Sequence, residues 1–198
     1  MGSVRPFHIK DEIRILGIDD SALITDTITI VGAFFRGGQW LDGVLRSEIT
    51  RDGLDATDKI VEMVLRSKHF PQIRAIMLDG ITYGGFNPVD IIHLNKETDI
   101  PVIVLMRDLP NFEKIEDALS FLPEKEKRTE IIKNAGPIHK VVTKDRSNPV
   151  FIQCCGIEPE FAAKIVKISS TRSNIPEPLR VAHLIATGIV LGESRGKA

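Results

Sequence analysis

Uninterrupted apolar runs alternate with stretches of helical periodicity along this chain. Glu12 to Asp19 (EIRILGID) is an apolar run ending in an acid, the pattern of a buried strand. Thr25 to Arg36 is rich in Thr, Ile, Val and Phe and predicts a second strand. A Gly37-Gly38-Gln39 turn leads to a third strand over Trp40 to Thr50, which completes an antiparallel meander. After Gly53 the period changes. Ile60, Val61, Val64 and Leu65 fall at helical spacing within Asp55 to Lys68, and Asp55 is placed to cap that helix. Ile73 to Asp79 (IRAIMLD) is another buried strand ending in an acid. Pro88 to Thr98 predicts a helix with Asn87 as its cap and Pro88 in its first turn. Ile100 to Met106 (IPVIVLM) predicts a strand parallel to the two other apolar runs. Helices are expected over Phe112 to Phe121, Glu124 to Ala135, Glu158 to Ser169 and Pro178 to Leu191, and short strands over Pro137 to Lys144 and Pro149 to Cys155. No repeat or long linker interrupts the series, so one α/β domain over residues 1–198 is expected, a mixed sheet covered by helices.

Composition narrows the class. Apolar residues make up 42% and charged residues 27%, the balance of a globular chain rather than a disordered one. The apolar runs are of strand length, so no membrane span is expected. Met1 to Asp11 carries Arg5 and Lys10 without an apolar centre, which does not read as a signal peptide, and the vicinal Cys154-Cys155 pair implies no disulfide framework. A reducing cytoplasm is the expected setting. Net charge is −1, but residues 1–132 hold 16 Lys and Arg against 22 Asp and Glu, whereas residues 133–198 hold 10 against 5. An acidic part beside a basic part suits a site that gathers cations in one place and phosphates in another.

The acids at the strand ends are the candidates for chemistry. Asp19 in Gly17-Ile18-Asp19-Asp20-Ser21 and Asp79 in Leu78-Asp79-Gly80 both terminate apolar strands. If those strands are parallel neighbours, both carboxylates enter one crevice at their C-terminal ends. Two carboxylates held together repel unless a proton or cation lies between them, and Mg²⁺ or Mn²⁺ with oxygen ligands, water and phosphate is the natural answer. Asp also starts turns, which alone explains either residue. Glu48, Asp52, Asp55 and Asp58 are further acids on or just after the third strand, and which of them reaches the crevice stays open. His8, His69, His93 and His139 show no zinc-ligand spacing.

Near the end stands Ile175-Pro176-Glu177-Pro178-Leu179-Arg180-Val181-Ala182-His183, with Arg180 and His183 on one helical face. This stretch resembles the Pro-Glu-Pro-x-Arg-x-Ala-His segment of endonuclease V, a nuclease with a ribonuclease H-like fold. The Gly17-x-Asp19-x-Ser21 and Leu78-Asp79-Gly80 motifs match that family's two aspartate motifs in order, and the resemblance runs from about Ile13 to about Leu191. Gly53-Leu54-Asp55-Ala56-Thr57 and Gly80-Ile81-Thr82-Tyr83-Gly84-Gly85 resemble more closely an archaeal relative of endonuclease V catalogued as domain of unknown function 99. The resemblance implies a ribonuclease H-like sheet, Asp19 and Asp79 as central metal ligands, and His183 as an auxiliary group. It also implies an acid after the third strand, for which Asp52, Asp55 and Glu48 all remain open. The chain departs from endonuclease V in three places. The turn taken to correspond to its Pro-aromatic-Ile-Pro wedge reads Gly37-Gly38-Gln39-Trp40-Leu41-Asp42, with Trp40 the residue able to stack on a base. Thr82 to Phe86 replaces a His-Pro pair, and Arg107 stands for a lysine.

Three functions are compatible with these residues. The first is a Mg²⁺- or Mn²⁺-dependent nuclease on DNA or RNA, in which Arg180, Arg107 and basic residues such as Lys164 and Lys167 hold phosphates. The second is a nucleic-acid-binding module of the same fold without catalysis. The third is a metal-dependent phosphoryl enzyme acting on small nucleotides.

Overall fold

In a computed structural model, which describes residues 9–196, the expected α/β plan is realised. The segment read as lacking a signal peptide lies largely outside those residues, as does His8. A meander of β1 (Arg14–Asp20), β2 (Thr27–Arg36) and β3 (Trp40–Thr50) leads into α1 (Ala56–Leu65). β4 (Ala75–Asp79) and a small hairpin of β5 (Thr82–Tyr83) and β6 (Asn87–Pro88) follow, then α2 (Ile91–Thr98) and β7 (Val102–Met106). The remainder comprises α3 (Phe112–Leu119), α4 (Lys125–Asn134), β8 (His139–Val141), β9 (Val150–Cys155), α5 (Pro159–Ser169) and α6 (Glu177–Leu191).

Seven strands form one sheet in the order β3-β2-β1-β4-β7-β9-β8. β1, β4 and β7 are parallel neighbours, in line with their shared apolar character, and the flanking pairs are antiparallel. Each central strand is buried on both faces, which explains why these runs show no polar alternation. Leu16, Ile18, Ile76, Leu78, Val102 and Val104 meet residues of α1 and α2 on one face. Ile15, Ala75, Met77, Ile103 and Leu105 meet residues of α5 and α6 on the other. Gly17 lies on this second face, where a Cβ would come within 2.6 Å of Pro178. The missing side chain therefore lets α6 approach the backbone of β1. Cys154 joins the α5 side and Cys155 the α1 side, and both thiols are free.

Three local readings need correction. Asp55 stands at the N-cap position of α1, but its side chain makes no capping hydrogen bond there. Asn87 does not cap α2, which begins at Ile91 with Asp90 accepting from the amides of Ile92 and His93. Asn87 and Pro88 form a strand of the small hairpin instead. The Asn87 side chain caps α1: its oxygen accepts from the Ala56 amide (3.0 Å), and its nitrogen donates to the Thr50 carbonyl and to Asp55. The contact spans 31 residues of chain, so no local pattern announces it. Trp40 cannot serve as a wedge beside the acids. It pairs with Arg36, which pairs with Arg14 at the start of β1, whereas Asp19 and Asp20 close the far end of that strand. A hairpin turn between β2 and β3 must lie opposite the end where β1 finishes.

Candidate active site

The period of two along a strand sets the chemistry. Asp19, Asp79 and Arg107 each lie on the same phase as the residues that face α6, at or just past the ends of three adjacent parallel strands. Ile18 pairs with Leu78, so Asp19 and Asp79 are the next residues in register, on strands about 5 Å apart. They enter one cavity of about 680 Å³, whose wall also includes Asp20, Arg107 and His183.

Each group is oriented by a partner. Arg107 Nη2 donates to Asp79 Oδ2 at 2.8 Å. His183, presented by α6 because Gly17 admits that helix, places Nδ1 2.8 Å from Asp19 Oδ2. Its Nε2 lies 3.1 Å from the Arg195 carbonyl, so the chain after α6 folds back over the imidazole. Both ring nitrogens face oxygen acceptors, which suits the doubly protonated ring. Accordingly, the hydrogen bond to Asp19 raises the His183 pKa, against the opposing effect of burial. Asp19 Oδ1 accepts from the Asp20 amide at 2.8 Å.

Asp20 and Tyr83 are the participants that sequence reasoning missed. Asp20 points to the opposite face from Asp19 and accepts from the Gly84 amide. Burial, reinforced by the charges of Asp19 and Asp79, pushes its carboxyl up to about 7. Burial and the Asp19 charge likewise raise Asp79 to about 6, although Arg107 and His183 pull it down. The fully buried Tyr83 hydroxyl donates to the Ile18 carbonyl (2.8 Å) and accepts from the Asp79 amide (3.0 Å). It thereby ties β1 to β4 directly beneath the acids. The doubled Asp19-Asp20 was visible in the sequence as a signal for the first of these residues; nothing local pointed to the second.

The other expected site residues lie elsewhere. Glu48 pairs with Arg46 on exposed β3. Asp52 accepts from the Phe86 amide at 2.8 Å, and its own amide donates to the Gly84 carbonyl. Asp55 accepts from the Thr50 amide, the Thr50 hydroxyl and Asn87. Burial would raise its pKa, but those hydrogen bonds outweigh it and hold the carboxyl below its ordinary value. None of the three lines the cavity, because β3 is separated from β1 by β2. Asp58 lies 3.8 Å from His93. Arg180 is engaged by the buried Glu177, which accepts from its Nε and Nη2. Lys164 and Lys167 are exposed on α5 and do not line this cavity.

Among the described residues, no three His, Cys, Asp or Glu side chains form a group that could by itself hold a metal ion. The donor set is an open one: two oxygen-only carboxylates, Asp79 held by Arg107 and Asp19 by His183, facing a cavity wide enough for water and a phosphate. That is how Mg²⁺ is commonly held. Asp19 and Asp79 are the residues that would hold it.

A sequence-family model described as endonuclease dU matches residues 11–190. The chain belongs to the endonuclease dU family. A UPF0215 protein of Methanosarcina barkeri is 64% identical over 192 residues, covering 97% of this chain and 98% of the relative. The crystal structure of a protein of unknown function from Archaeoglobus fulgidus superposes with a TM-score of 0.81 at 45% identity, over 89% of this chain and 97% of that one. Ciona intestinalis endonuclease V, solved with DNA containing an inosine followed by a ribo-adenosine, gives a TM-score of 0.62 at 14% identity over 90% and 86% of the two chains. The likeness to endonuclease V expected from the Asp19, Asp79 and His183 segments thus holds at the level of the fold, and this endonuclease dU family member has a ribonuclease H-like sheet. No described helix is long and apolar enough to cross a membrane.

Proposed function

We propose that this endonuclease dU family member is a Mg²⁺- or Mn²⁺-dependent endonuclease that hydrolyses a phosphodiester bond of DNA or RNA. The observation that carries this reading is the placement of Asp19 and Asp79 side by side on one face of a parallel pair, between His183 and Arg107. A bound ion would supply Lewis acidity toward a phosphate oxygen and water. Asp19 and Asp79 would hold it, and the Asp20 carboxyl would add negative charge behind them. His183 is fixed beside the acids by Asp19 and the Arg195 carbonyl, with its pKa raised by the Asp19 contact, and its imidazolium would release a proton toward a leaving oxygen where that oxygen takes the place of the Arg195 carbonyl at Nε2. Arg107 reaches the same space from β7, where its guanidinium can meet a phosphate oxygen while holding Asp79. The family's name makes deoxyuridine-containing DNA the first substrate to try, and the inosine-containing DNA bound by Ciona endonuclease V the second.

The Arg107–Asp79 ion pair specifically favours a second reading, a module that binds nucleic acid without cleaving it, because the guanidinium already occupies one carboxylate oxygen. Calorimetric titration with Mn²⁺ separates the two. Binding that D19N/D79N abolishes, together with Mn²⁺-dependent strand cleavage, supports the enzyme. Strand binding that is indifferent to chelator, with no cleavage of either substrate, supports the module.

A further inference from the structure

A second cavity, of about 460 Å³, lies against the other side of Arg107. Its walls are the loop between β8 and β9, which carries Lys144 and Asn148, and the loop between α5 and α6, which carries Arg172 and Asn174. The Asn174 amide locks these loops together. Its oxygen accepts from the Thr143 hydroxyl (3.1 Å) and from the amides of Lys144 (3.2 Å) and Asp145 (2.8 Å), while its nitrogen donates to the Asn148 carbonyl (2.9 Å). The walls are therefore built without a ligand.

Charge runs opposite to that of the first cavity. The lining carries Lys144, Arg172 and Arg107 (which also holds Asp79) against one lining carboxylate, Asp145, and that carboxylate is turned into its own loop, accepting from the Ser147 amide and hydroxyl. Arg172 stands 3.8 Å from Glu177, but Glu177 is already held by Arg180 at 2.7 Å, so the Arg172 guanidinium is only loosely engaged. Lys144 and Arg172 belong to the basic C-terminal third, and Asp19, Asp20 and Asp79 to the acidic remainder. The uneven distribution of charge along the chain thus becomes an acid-rich cavity beside a base-rich one, with one arginine shared between them.

We propose that the basic cavity is an anion subsite for the nucleic-acid backbone: it takes a phosphate of the same strand whose neighbouring phosphodiester enters the acidic cavity, the strand passing over Arg107. This rests on the reading of the acidic cavity as a nucleic-acid site. Lys144 and Arg172 position the strand and touch no reacting atom.

The test compares wild type, K144A/R172A and K164A/K167A by fluorescence anisotropy with a short single-stranded oligonucleotide. Ca²⁺ is present as a hard oxygen-seeking cation, and salt is varied from about 50 to about 200 mM. K164A/K167A removes the same charge from the exposed face of α5 and controls for non-specific attraction. All four side chains are exposed, and thermal melts verify that each variant is folded. The expected result for K144A/R172A is about tenfold weaker binding at the lowest salt and a salt slope shallower by about 0.7, the value for one phosphate contact on a single strand. K164A/K167A should stay within about twofold of wild type. If K144A/R172A binds with wild-type affinity and slope, or no worse than the control, the subsite is overturned while the nucleic-acid reading stands. If wild type itself fails to bind the strand, both fall.

Discussion

Replacing Asp20 with asparagine should stabilise this protein at alkaline pH in the absence of divalent cations. Asp20 is raised from its ordinary 3.8 to about 7, chiefly by burial. Between those values the native state holds a proton that the unfolded chain has released, so stability falls as pH rises through this window, and the loss is complete above about pH 7. At 1.36 kcal/mol per pKa unit, the charged carboxyl costs the native state about 4 kcal/mol. In D20N the new carboxamide would keep an oxygen to accept from the Gly84 amide, but its NH₂ needs a partner of its own, which reduces the expected gain to about 2 kcal/mol. For a chain of this size, that corresponds to a melting temperature higher by about 4–8 °C. The assay is thermal melting followed by circular dichroism in EDTA at about pH 4, 6 and 8. The gain should be absent at pH 4, where the native carboxyl is protonated and the unfolded one about half so, and full at pH 8. Mg²⁺ at pH 8 should raise the melting point of wild type more than that of D20N, because a nearby cation offsets part of the cost of the charged, buried carboxyl. A D20N protein that melts at or below wild type at pH 8, or that gains equally at pH 4, would refute the reasoning.

Three further outcomes are expected. G17A should lose about 1–3 kcal/mol in urea denaturation, because its methyl group collides with the Pro178 backbone, and it should weaken the His183–Asp19 contact; an unchanged midpoint would mean that α6 does not depend on this close approach. R128M should cost about 3 kcal/mol or more, and R128K should not restore it. The buried Arg128 donates to the carbonyls of Asp52, Gly53, Phe86 and Pro123, a spread that one ammonium cannot cover, and equal midpoints for lysine and arginine would contradict this. D19N should lower the His183 pKa measured by proton NMR, since the Asp19 hydrogen bond and charge raise it; an unmoved titration would show that the two side chains are not paired in solution.

What the chain revealed by itself was its strand and helix plan and the two strand-end acids that the sheet brings side by side. The runs ending in Asp19 and Asp79 are short, apolar on both faces and closed by loop-forming residues, and these are properties of neighbouring residues. The segment from Pro176 to His183 was readable for the same reason: its prolines and helical spacing are local. The tertiary structure alone decided the company these residues keep. Asp20 joins the site through an amide 64 residues away, Tyr83 braces it through a carbonyl 65 residues away, and His183 reaches Asp19 across 164. Asp52, Asp55 and Glu48 had equal standing in the sequence, yet their partners are Phe86, Thr50 with Asn87, and Arg46. Side-chain pattern reports which face of an element is buried, whereas which carboxylates share a cavity depends on strand order and on how closely α6 packs against Gly17. Those are properties of the assembled sheet, and no window of sequence contains them.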